Sequence, residues 1–189
     1  MRILPLCLLA LLLALTACGG EEELPPPSNP QLRAELLRLL DKDQKQRTDT
    51  ASPEQFDRVE KENTARLEQI LDQYGWPGWK LVGKDGSSAA WVLAQHADQR
   101  LDVQKRALAL LKTAVEQGDA SKGDLAYLTD RVRVAERKPQ VYGTQIELGP
   151  DGAPRPQIGL ENEAEVDKRR AEAGLKPLKE YYAEFKSGG

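Results

Sequence analysis

The sequence predicts a mainly α-helical protein: a single domain of about six or seven helices with one small β-hairpin near residues 140–160. Two observations support this class. Apolar residues recur at three- and four-residue spacing along most of the chain after residue 30, which is the period of an amphipathic helix. Strand-forming residues surround a Pro-Asp-Gly turn in one region only, after Pro139. The length suits one domain with its own core.

Residues 1–17 are predicted to be a lipoprotein signal peptide. Arg2 gives a short basic start, residues 3–14 are apolar apart from Pro5, and a small residue precedes Cys18. In such a segment the thiol of Cys18 receives a diacylglyceryl group and becomes the first residue of the mature chain. The alternative is a transmembrane anchor, but the apolar run is shorter than the ~20 residues that span a bilayer.

A lipid on Cys18 also predicts where the protein lies. Sorting in bacteria with two membranes retains lipoproteins at the inner membrane mainly when Asp follows the acylated cysteine, and this chain has Gly19 there. We therefore expect a lipid-anchored protein of the cell envelope, at the outer membrane and facing the periplasm. Its lipid makes the membrane one of its partners. In a bacterium with one membrane, the same lipid would hold the domain outside that membrane.

Residues 18–29 are predicted to be a flexible tether, and residues 30–189 the helical domain. The tether is rich in Glu and Pro and has no apolar periodicity, so it cannot bury enough surface to order itself. The domain begins where Asn29 can cap a helix that has Pro30 at its first position. A capping box at residues 52–55 predicts a second helix.

The remaining elements follow from periodicity and from Gly and Pro positions. The second helix extends to Gly75, and three further helices are predicted over 88–97, 101–117 and 121–136. Then comes the hairpin, with strand character in 141–148 and in 155–160, where two prolines limit the second strand to an edge. Helices from Asn162 to Gly174 and from Pro177 onward complete the chain.

Charge and cysteine content exclude several classes of function. The chain has 27 basic and 30 acidic residues, interspersed along its length, so we expect no nucleic-acid partner. One of its two cysteines leaves with the signal peptide and the other is acylated, which leaves no disulfide. Its one histidine, His96, and Asp98 offer too few ligands for a metal site. We expect neither a metal nor a cofactor.

Polar residues interrupt the apolar faces of the first three helices. His96 shares a stripe with apolar residues of the third helix, Asn63 does so on the second, and Asp43 on the first, four residues before Arg47. Burying such a group without a partner costs roughly 1 to 3 kcal/mol. Together they indicate either a structural hydrogen-bonded network or a ligand pocket.

Three short motifs resemble the signature of a family of functionally uncharacterised bacterial proteins, many of them secreted or lipid-anchored. They are QHAD at residues 95–98, Asp-Arg at 130–131 and Q-x-YGTQ at 140–145. Similar pieces occur at residues 43–47, 75–77 and 166–175, so the resemblance covers roughly residues 40 to 182. The resemblance implies kinship and carries no reaction.

Read physically, the same motifs allow three functions. His96 could act as a general acid or base oriented by Asp98 or by Asp130, and we take His96 and Asp130 as candidate catalytic residues of a hydrolase-like enzyme. The candidate binding residues are Gln95, Asp98, Arg131, Gln140, Tyr142, Thr144 and Gln145. Our first hypothesis is that these residues form a pocket that binds a small polar ligand or an envelope component such as a peptidoglycan fragment. The hydrolase-like enzyme is the second hypothesis, and a purely structural envelope module is the third.

Structural roles compete with these functional ones at two of the motifs. Asp130 and Arg131 could form an ion pair at a helix surface instead of a site. The segment Tyr142-Gly143-Thr144 could exist because glycine lets the chain pass closely over a helix.

Overall fold

The computed structural model describes residues 25–47 and 52–186, and over these the prediction of a single, mainly α-helical domain is confirmed. The predicted signal peptide, Cys18 and most of the predicted tether lie outside the described residues. The described helices are α1 (Pro30–Gln46), α2 (Pro53–Tyr74), α3 (Trp79–Gln95), α4 (Leu101–Glu116), α5 (Lys122–Ala135), α6 (Val166–Glu172) and α7 (Leu178–Lys186). The hairpin consists of β1 (Ile146–Leu148) and β2 (Pro154–Pro156), and a 3-10 turn (Glu163–Glu165) precedes α6.

The core lies around α3, which packs against α1, α2, α4 and α5. Its alanines are wholly buried at Ala89, Ala90 and Ala94, and these short side chains let the neighbouring helices approach closely. Larger side chains from the surrounding helices complete the core, and the most buried of them are Leu36, Leu67, Ile70, Ala107, Leu111 and Leu128. Burial of apolar surface stabilises the domain by roughly 25 cal/mol per Å². None of the described helices is both long and apolar enough to cross a membrane.

The third helix begins earlier than its sequence predicts. The prediction started it at Ser88 because Gly83-Lys84-Asp85-Gly86 has the composition of a turn, and this was wrong. The helix starts at Trp79 and bends at Gly83, whose φ of 75° and ψ of 170° are not helical. Glycine reaches this backbone conformation without a steric penalty, so the chain bends here and the helix continues.

The helix caps agree with the sequence analysis. Asn29 accepts a hydrogen bond from the backbone N–H of Leu32, and Ser52 and Gln55 form the reciprocal capping box at the start of α2. In addition, the backbone N–H groups of Ser28 and Asn29 donate to the carbonyls of Lys80 and Leu81 at 3.0 and 2.8 Å. The last two residues of the predicted tether are therefore held on the first turn of α3.

The hairpin is shorter than its sequence predicts. Each strand has three residues, paired antiparallel with Glu147 opposite Arg155. The prolines at both ends of β2 have no N–H to donate, which weakens the ladder at its ends, and one backbone bond beyond each end continues the register, from Gln157 to Gln145 and from Gly149 to Ala153. Before the hairpin, residues 140–145 form an irregular loop, which we call the YGTQ loop, and α5, α6 and α7 surround it. This loop and the end of α3 form the candidate site.

Candidate functional site

A cavity of about 390 Å³ lies where the end of α3 meets α5 and the YGTQ loop. The end of α1 closes it on one side through Arg47. Its described lining consists of Arg47, Trp91, Val92, Gln95, His96, Tyr127, Arg131, Thr144 and Gln145. We call it the His96 cavity. It brings together five of the predicted site residues, namely Gln95, His96, Arg131, Thr144 and Gln145.

His96 is held in place by a carboxylate from α1. It caps the C-terminus of α3, and its Nδ1 lies 2.7 Å from Oδ2 of Asp43. An ionised carboxylate only accepts, so the hydrogen is assigned to Nδ1 and Nε2 is left for the cavity. The sequence analysis expected Asp98 or Asp130 to orient the ring. Asp43 makes this contact instead, because packing of α1 on α3 brings residues 53 positions apart together.

Several donors keep Asp43 ionised although it is almost fully buried. Its carboxylate accepts from His96, from Arg47 Nε at 3.1 Å and from Gln44 Nε2 at 2.9 Å. Burial by itself would raise the pKa of Asp43. The hydrogen bonds from His96 and Arg47 outweigh that effect, and the pKa lies below its usual value. The imidazole therefore faces a charged acceptor.

Two donors at the cavity have no partner within the described part of the chain. They are Nε2 of Gln95 and Nε1 of Trp91, and both atoms are buried. The Gln95 side chain is held in place with only 8% of the residue exposed. Nearly all buried polar groups in proteins are hydrogen-bonded, so two unpaired donors on residues that line one cavity mark it as a candidate binding site.

Arg131 forms the opposite wall of the cavity. Its Nε lies 2.9 Å from Oδ1 of Asp98, its Nη2 contacts the other carboxylate oxygen, and its Nη1 donates to Oε1 of Gln145 at 3.0 Å. Gln104 also donates to Asp98. Asp98 does not line the cavity and is half exposed behind Arg131. Asp98 positions the guanidinium of Arg131, which is a positively charged group that lines the cavity.

Asp130, a candidate catalytic residue, has a different environment. It is wholly buried, and its carboxylate accepts from the backbone N–H groups of Val141, Tyr142 and Thr144 at 2.7 to 3.2 Å. The Thr144 hydroxyl donates to it as well, at 2.9 Å. It contacts neither His96 nor the cavity among the described residues. Its hydrogen bonds fold the YGTQ loop onto α5.

Gln140 also holds the YGTQ loop in place. Its amide nitrogen donates to the carbonyls of Gln145 and Gln157 at 2.7 and 2.8 Å, and its amide oxygen accepts from the Gln145 backbone at 2.8 Å. All three bonds are internal, and Gln140 is wholly buried. It joins the two ends of the segment that contains the hairpin and does not line the cavity.

Tyr142 and Gly143 complete the loop. The Tyr142 carbonyl accepts from Arg170 at 2.7 Å, and burial raises the pKa of its phenol. Gly143 has a φ of 70°, and a Cβ built on it would lie 2.8 Å from Leu178 Cδ1. Glycine therefore permits the loop to pass closely over α7, as the structural interpretation of this motif required.

Sequence reasoning missed four lining residues as parts of a site, namely Arg47, Trp91, Val92 and Tyr127. Trp91 precedes Gln95 by four positions and Tyr127 precedes Arg131 by four, so helical spacing from the motifs could have found both. Their rings meet edge to face at 5.9 Å between centroids. Arg47 belongs to a similar piece at residues 43–47, but its approach to His96 depends on the packing of two helices. Across the described residues, no group of three His, Cys, Asp or Glu side chains could hold a metal ion.

Fold and site together define a small helical domain with a donor-rich cavity at the end of its central helix. The family model described as Family of unknown function (DUF6624) matches residues 30–187, and the chain belongs to that family. This agrees with the resemblance found in the motifs. Comparisons with curated proteins and with solved structures gave no match.

Proposed function

We propose that this protein is a lipid-anchored domain of the cell envelope that binds a small polar ligand or an envelope fragment in the His96 cavity. One observation carries the proposal: within the described part of the chain, Trp91 Nε1 and Gln95 Nε2 are buried without partners on residues that line the cavity, next to a histidine held by Asp43. A purely structural network would have paired these donors. A ligand with acceptor atoms would pair them.

A ligand screen with two variants tests the binding part. Envelope-derived fragments, including muropeptides, are screened by NMR against the wild-type domain, and hits are titrated against His96→Gln and Asp43→Asn. Gln preserves a hydrogen-bonding group of similar length, so for His96→Gln we expect a melting temperature close to wild type, and for both variants affinities at least about tenfold weaker, or ~1.4 kcal/mol. A large drop in melting temperature with unchanged affinity would show that His96 is structural.

Catalysis is the second candidate, and the Asp43–His96 geometry favours it. A ring whose Nδ1–H is held by a carboxylate presents Nε2 as a general base toward the cavity, as in hydrolases. The Thr144 hydroxyl already donates to Asp130, so water would be the nucleophile. Chromogenic esters and amides incubated with wild type, His96→Gln and Asp43→Asn test this candidate. Turnover in wild type that both variants reduce would support catalysis. Equal rates in all three proteins would exclude a catalytic role of His96.

Anchoring is a separate part of the proposal. It rests on the sequence before Cys18, and we propose an outer-membrane lipoprotein facing the periplasm. Cells that express wild type or Cys18→Ser are labelled with palmitate and fractionated. We expect label in the wild type only, and an uncleaved precursor in the variant. Wild-type protein that is unlabelled and partitions as soluble would contradict anchoring without affecting the cavity.

A further inference from the structure

We propose that the ligand of the His96 cavity carries a single carboxylate group on an apolar body, and that the carboxylate pairs with Arg131 and the buried donors of Trp91 and Gln95. This inference rests on the proposed binding function and specifies its ligand class. It follows from the charge of the lining, from the direction of its free hydrogen bonds and from the distribution of its apolar surface.

The charged groups on the cavity lining are all basic. Among the described lining residues are Arg47, His96 and Arg131, and none is Asp or Glu. The two carboxylates that pair with the arginines, Asp43 and Asp98, are not part of the lining. An ion in the cavity therefore meets the positive groups at shorter distance than the negative ones, and Coulomb energy falls with distance. This favours an anion.

The unpaired hydrogen bonds also require an acceptor. An indole Nε1–H is a donor and never an acceptor, so the partner of Trp91 must be an accepting atom of the ligand. Gln95 Nε2 is the second buried donor, on the same helix and one turn away. A carboxylate has two oxygens and about four lone-pair positions, which suits two neutral donors and a guanidinium.

The charge balance favours a monoanion over a dianion. Arg47 is compensated by Asp43 and Arg131 by Asp98, so these four groups sum to zero. A carboxylate adds one negative charge to this balance, whereas a phosphate dianion adds two. Each uncompensated charge in a partly buried site is costly, so the single charge is preferred.

Part of the cavity lining is apolar, beside the polar side chains of Thr144 and Gln145. Val92 and the rings of Trp91 and Tyr127 form one wall, and the edge-to-face contact of the two rings fixes their positions. Arg131 follows Tyr127 by four residues on α5, so the guanidinium lies next to this wall. A ligand that places a carboxylate at Arg131 therefore places its body against apolar surface. Small N-acylated amino acids have this shape.

The test uses two probes that differ only at the carboxyl group, where the amide lacks the charge and replaces one acceptor oxygen with a donor. N-acetyl-leucine and its primary amide, N-acetyl-leucinamide, are titrated into the domain while the indole N–H resonance of Trp91 is followed by NMR. We expect a saturable shift with the carboxylate below ~10 mM and at least about tenfold weaker binding of the amide. Inorganic phosphate is the third probe, and it should bind more weakly than the carboxylate.

Two pairs of matched variants locate the binding. Arg131→Met should weaken the carboxylate at least about tenfold, Arg131→Lys should restore part of the loss, and Arg133→Met should have no effect. Arg133 is a fair control because it lies on the same helix, is similarly exposed and is paired with Glu161 away from the cavity. Trp91→Phe should weaken binding as well, and because this variant lacks the Trp91 indole, its titration is followed through the side-chain amide resonances of Gln95.

Tyr182→Phe controls for a second cavity. Tyr182 has a buried hydroxyl without a partner, at a cavity of about 510 Å³ between α6 and α7. This variant should leave the carboxylate affinity unchanged. A loss of binding in Tyr182→Phe with none in Trp91→Phe would place the probe at the other cavity and overturn the inference.

The outcomes separate this inference from the proposed function. If the amide or phosphate shifts the Trp91 resonance and binds as tightly as the carboxylate, the carboxylate inference is wrong and the binding function stands. If none of the three probes shifts the resonance, the carboxylate inference is wrong, and the envelope-fragment screen alone decides the binding function. Equal affinity of wild type and Arg131→Met for the carboxylate also overturns the inference, because charge pairing would play no part.

Discussion

Two buried glutamines, Gln95 and Gln140, show how the cavity differs from the YGTQ loop. They belong to neighbouring sequence motifs and have similarly low exposure, at 8% and 0%. Gln140 uses its amide in three internal hydrogen bonds. Gln95 has a buried amide nitrogen with no partner among the described residues. Burial is therefore the same in both places, and the use of hydrogen-bonding capacity is different.

The difference separates residues that build the fold from residues available to a ligand. Around Asp130 and Gln140, the backbone N–H groups of residues 141, 142, 144 and 145 donate to side-chain oxygens of Asp130 or Gln140, and these bonds hold the loop in its fold. At the His96 cavity, Asp43 and Asp98 hold His96 and Arg131 from behind and leave their inner surfaces open. In this protein the first cluster supports the second, because Thr144 and Gln145 reach the cavity from the loop that Asp130 organises.

The largest effect is expected for Asp130→Asn. The amide group would place N–H donors against the backbone donors of the loop, which removes charged hydrogen bonds and leaves buried groups unpaired. We expect a loss of about 3 kcal/mol or more in unfolding free energy, measured by urea denaturation. Asp98→Asn is the control, since Asp98 is half exposed, and it should change stability by less than about 1 kcal/mol. Similar losses of unfolding free energy in the two variants would contradict the distinction between the loop and the cavity.

The two glutamines give the sharpest test. Replacement by Met keeps the side-chain length and removes the amide. Gln140→Met should lose about 2 to 3 kcal/mol, because two carbonyls and one N–H are left without their partner. Gln95→Met removes a donor that has no partner, so its stability should equal or exceed that of wild type.

Chemical denaturation of the two variants side by side measures this difference. A loss of more than about 1 kcal/mol in Gln95→Met would mean that the amide nitrogen is paired in solution, and the cavity would lose its main functional signal. The same variant should also bind the carboxylate probe more weakly than wild type.

Asp124 extends the comparison to carboxyl groups. Unlike Asp43, whose donors lower its pKa, Asp124 is half-buried, and this burial raises its pKa to about 6 against the opposing hydrogen bond of Ser121. The folded state then holds a proton that the unfolded state has released between pH ~4 and ~6, so this group makes stability fall as pH rises through that window. Below pH ~4, Asp124 is protonated in both the folded and the unfolded state and does not change stability with pH.

We therefore expect the stability of wild type relative to Asp124→Asn to fall by about 1 to 2 kcal/mol between pH ~4 and ~6 and to stay constant above it. Urea denaturation of both proteins across this range measures the difference, and the other acids cancel in the comparison. A constant difference from pH ~4 upward would show that Asp124 has an ordinary pKa.

The smallest effect concerns the end of the tether. A chain that begins at Pro30 lacks the Asn29 cap and the two backbone bonds to α3, so it should be about 1 kcal/mol less stable than one that begins at Pro25. Thermal melts of both chains check this value. Asn29→Ala in the longer chain isolates the cap. Equal stability of all three would show that residues before the helix add nothing to the domain.

Much of the fold could be predicted from the sequence because local signals specify it. Asn29, the capping box at Ser52 and Gln55, and Ser121 satisfy N–H groups within their own helices, so their effect needs no tertiary contact. The start of α3 could not be predicted in this way. Residues 83–86 have the composition of a turn, whereas in the structure the first turn of α3 is held by tertiary hydrogen bonds with residues 28–29 and with Asp119.

The candidate site was predicted less completely than the fold. Helical spacing placed His96 on the inner face of α3 and Asp43 on that of α1, and short motifs identified Gln95, Arg131 and Gln145. The roles were assigned less well, since Asp130 and Gln140 support the loop and Asp43 makes the contact expected of Asp98 or Asp130.

The sequence by itself determined the helices, their caps, the hairpin region and which polar residues lie on apolar faces, because these depend on contacts within about four residues. Only the tertiary structure decided which polar groups meet. The pairing of Asp43 with His96 spans 53 residues and that of Asp98 with Arg131 spans 33. Such pairings depend on how helices pack, and packing is decided by the whole core at once.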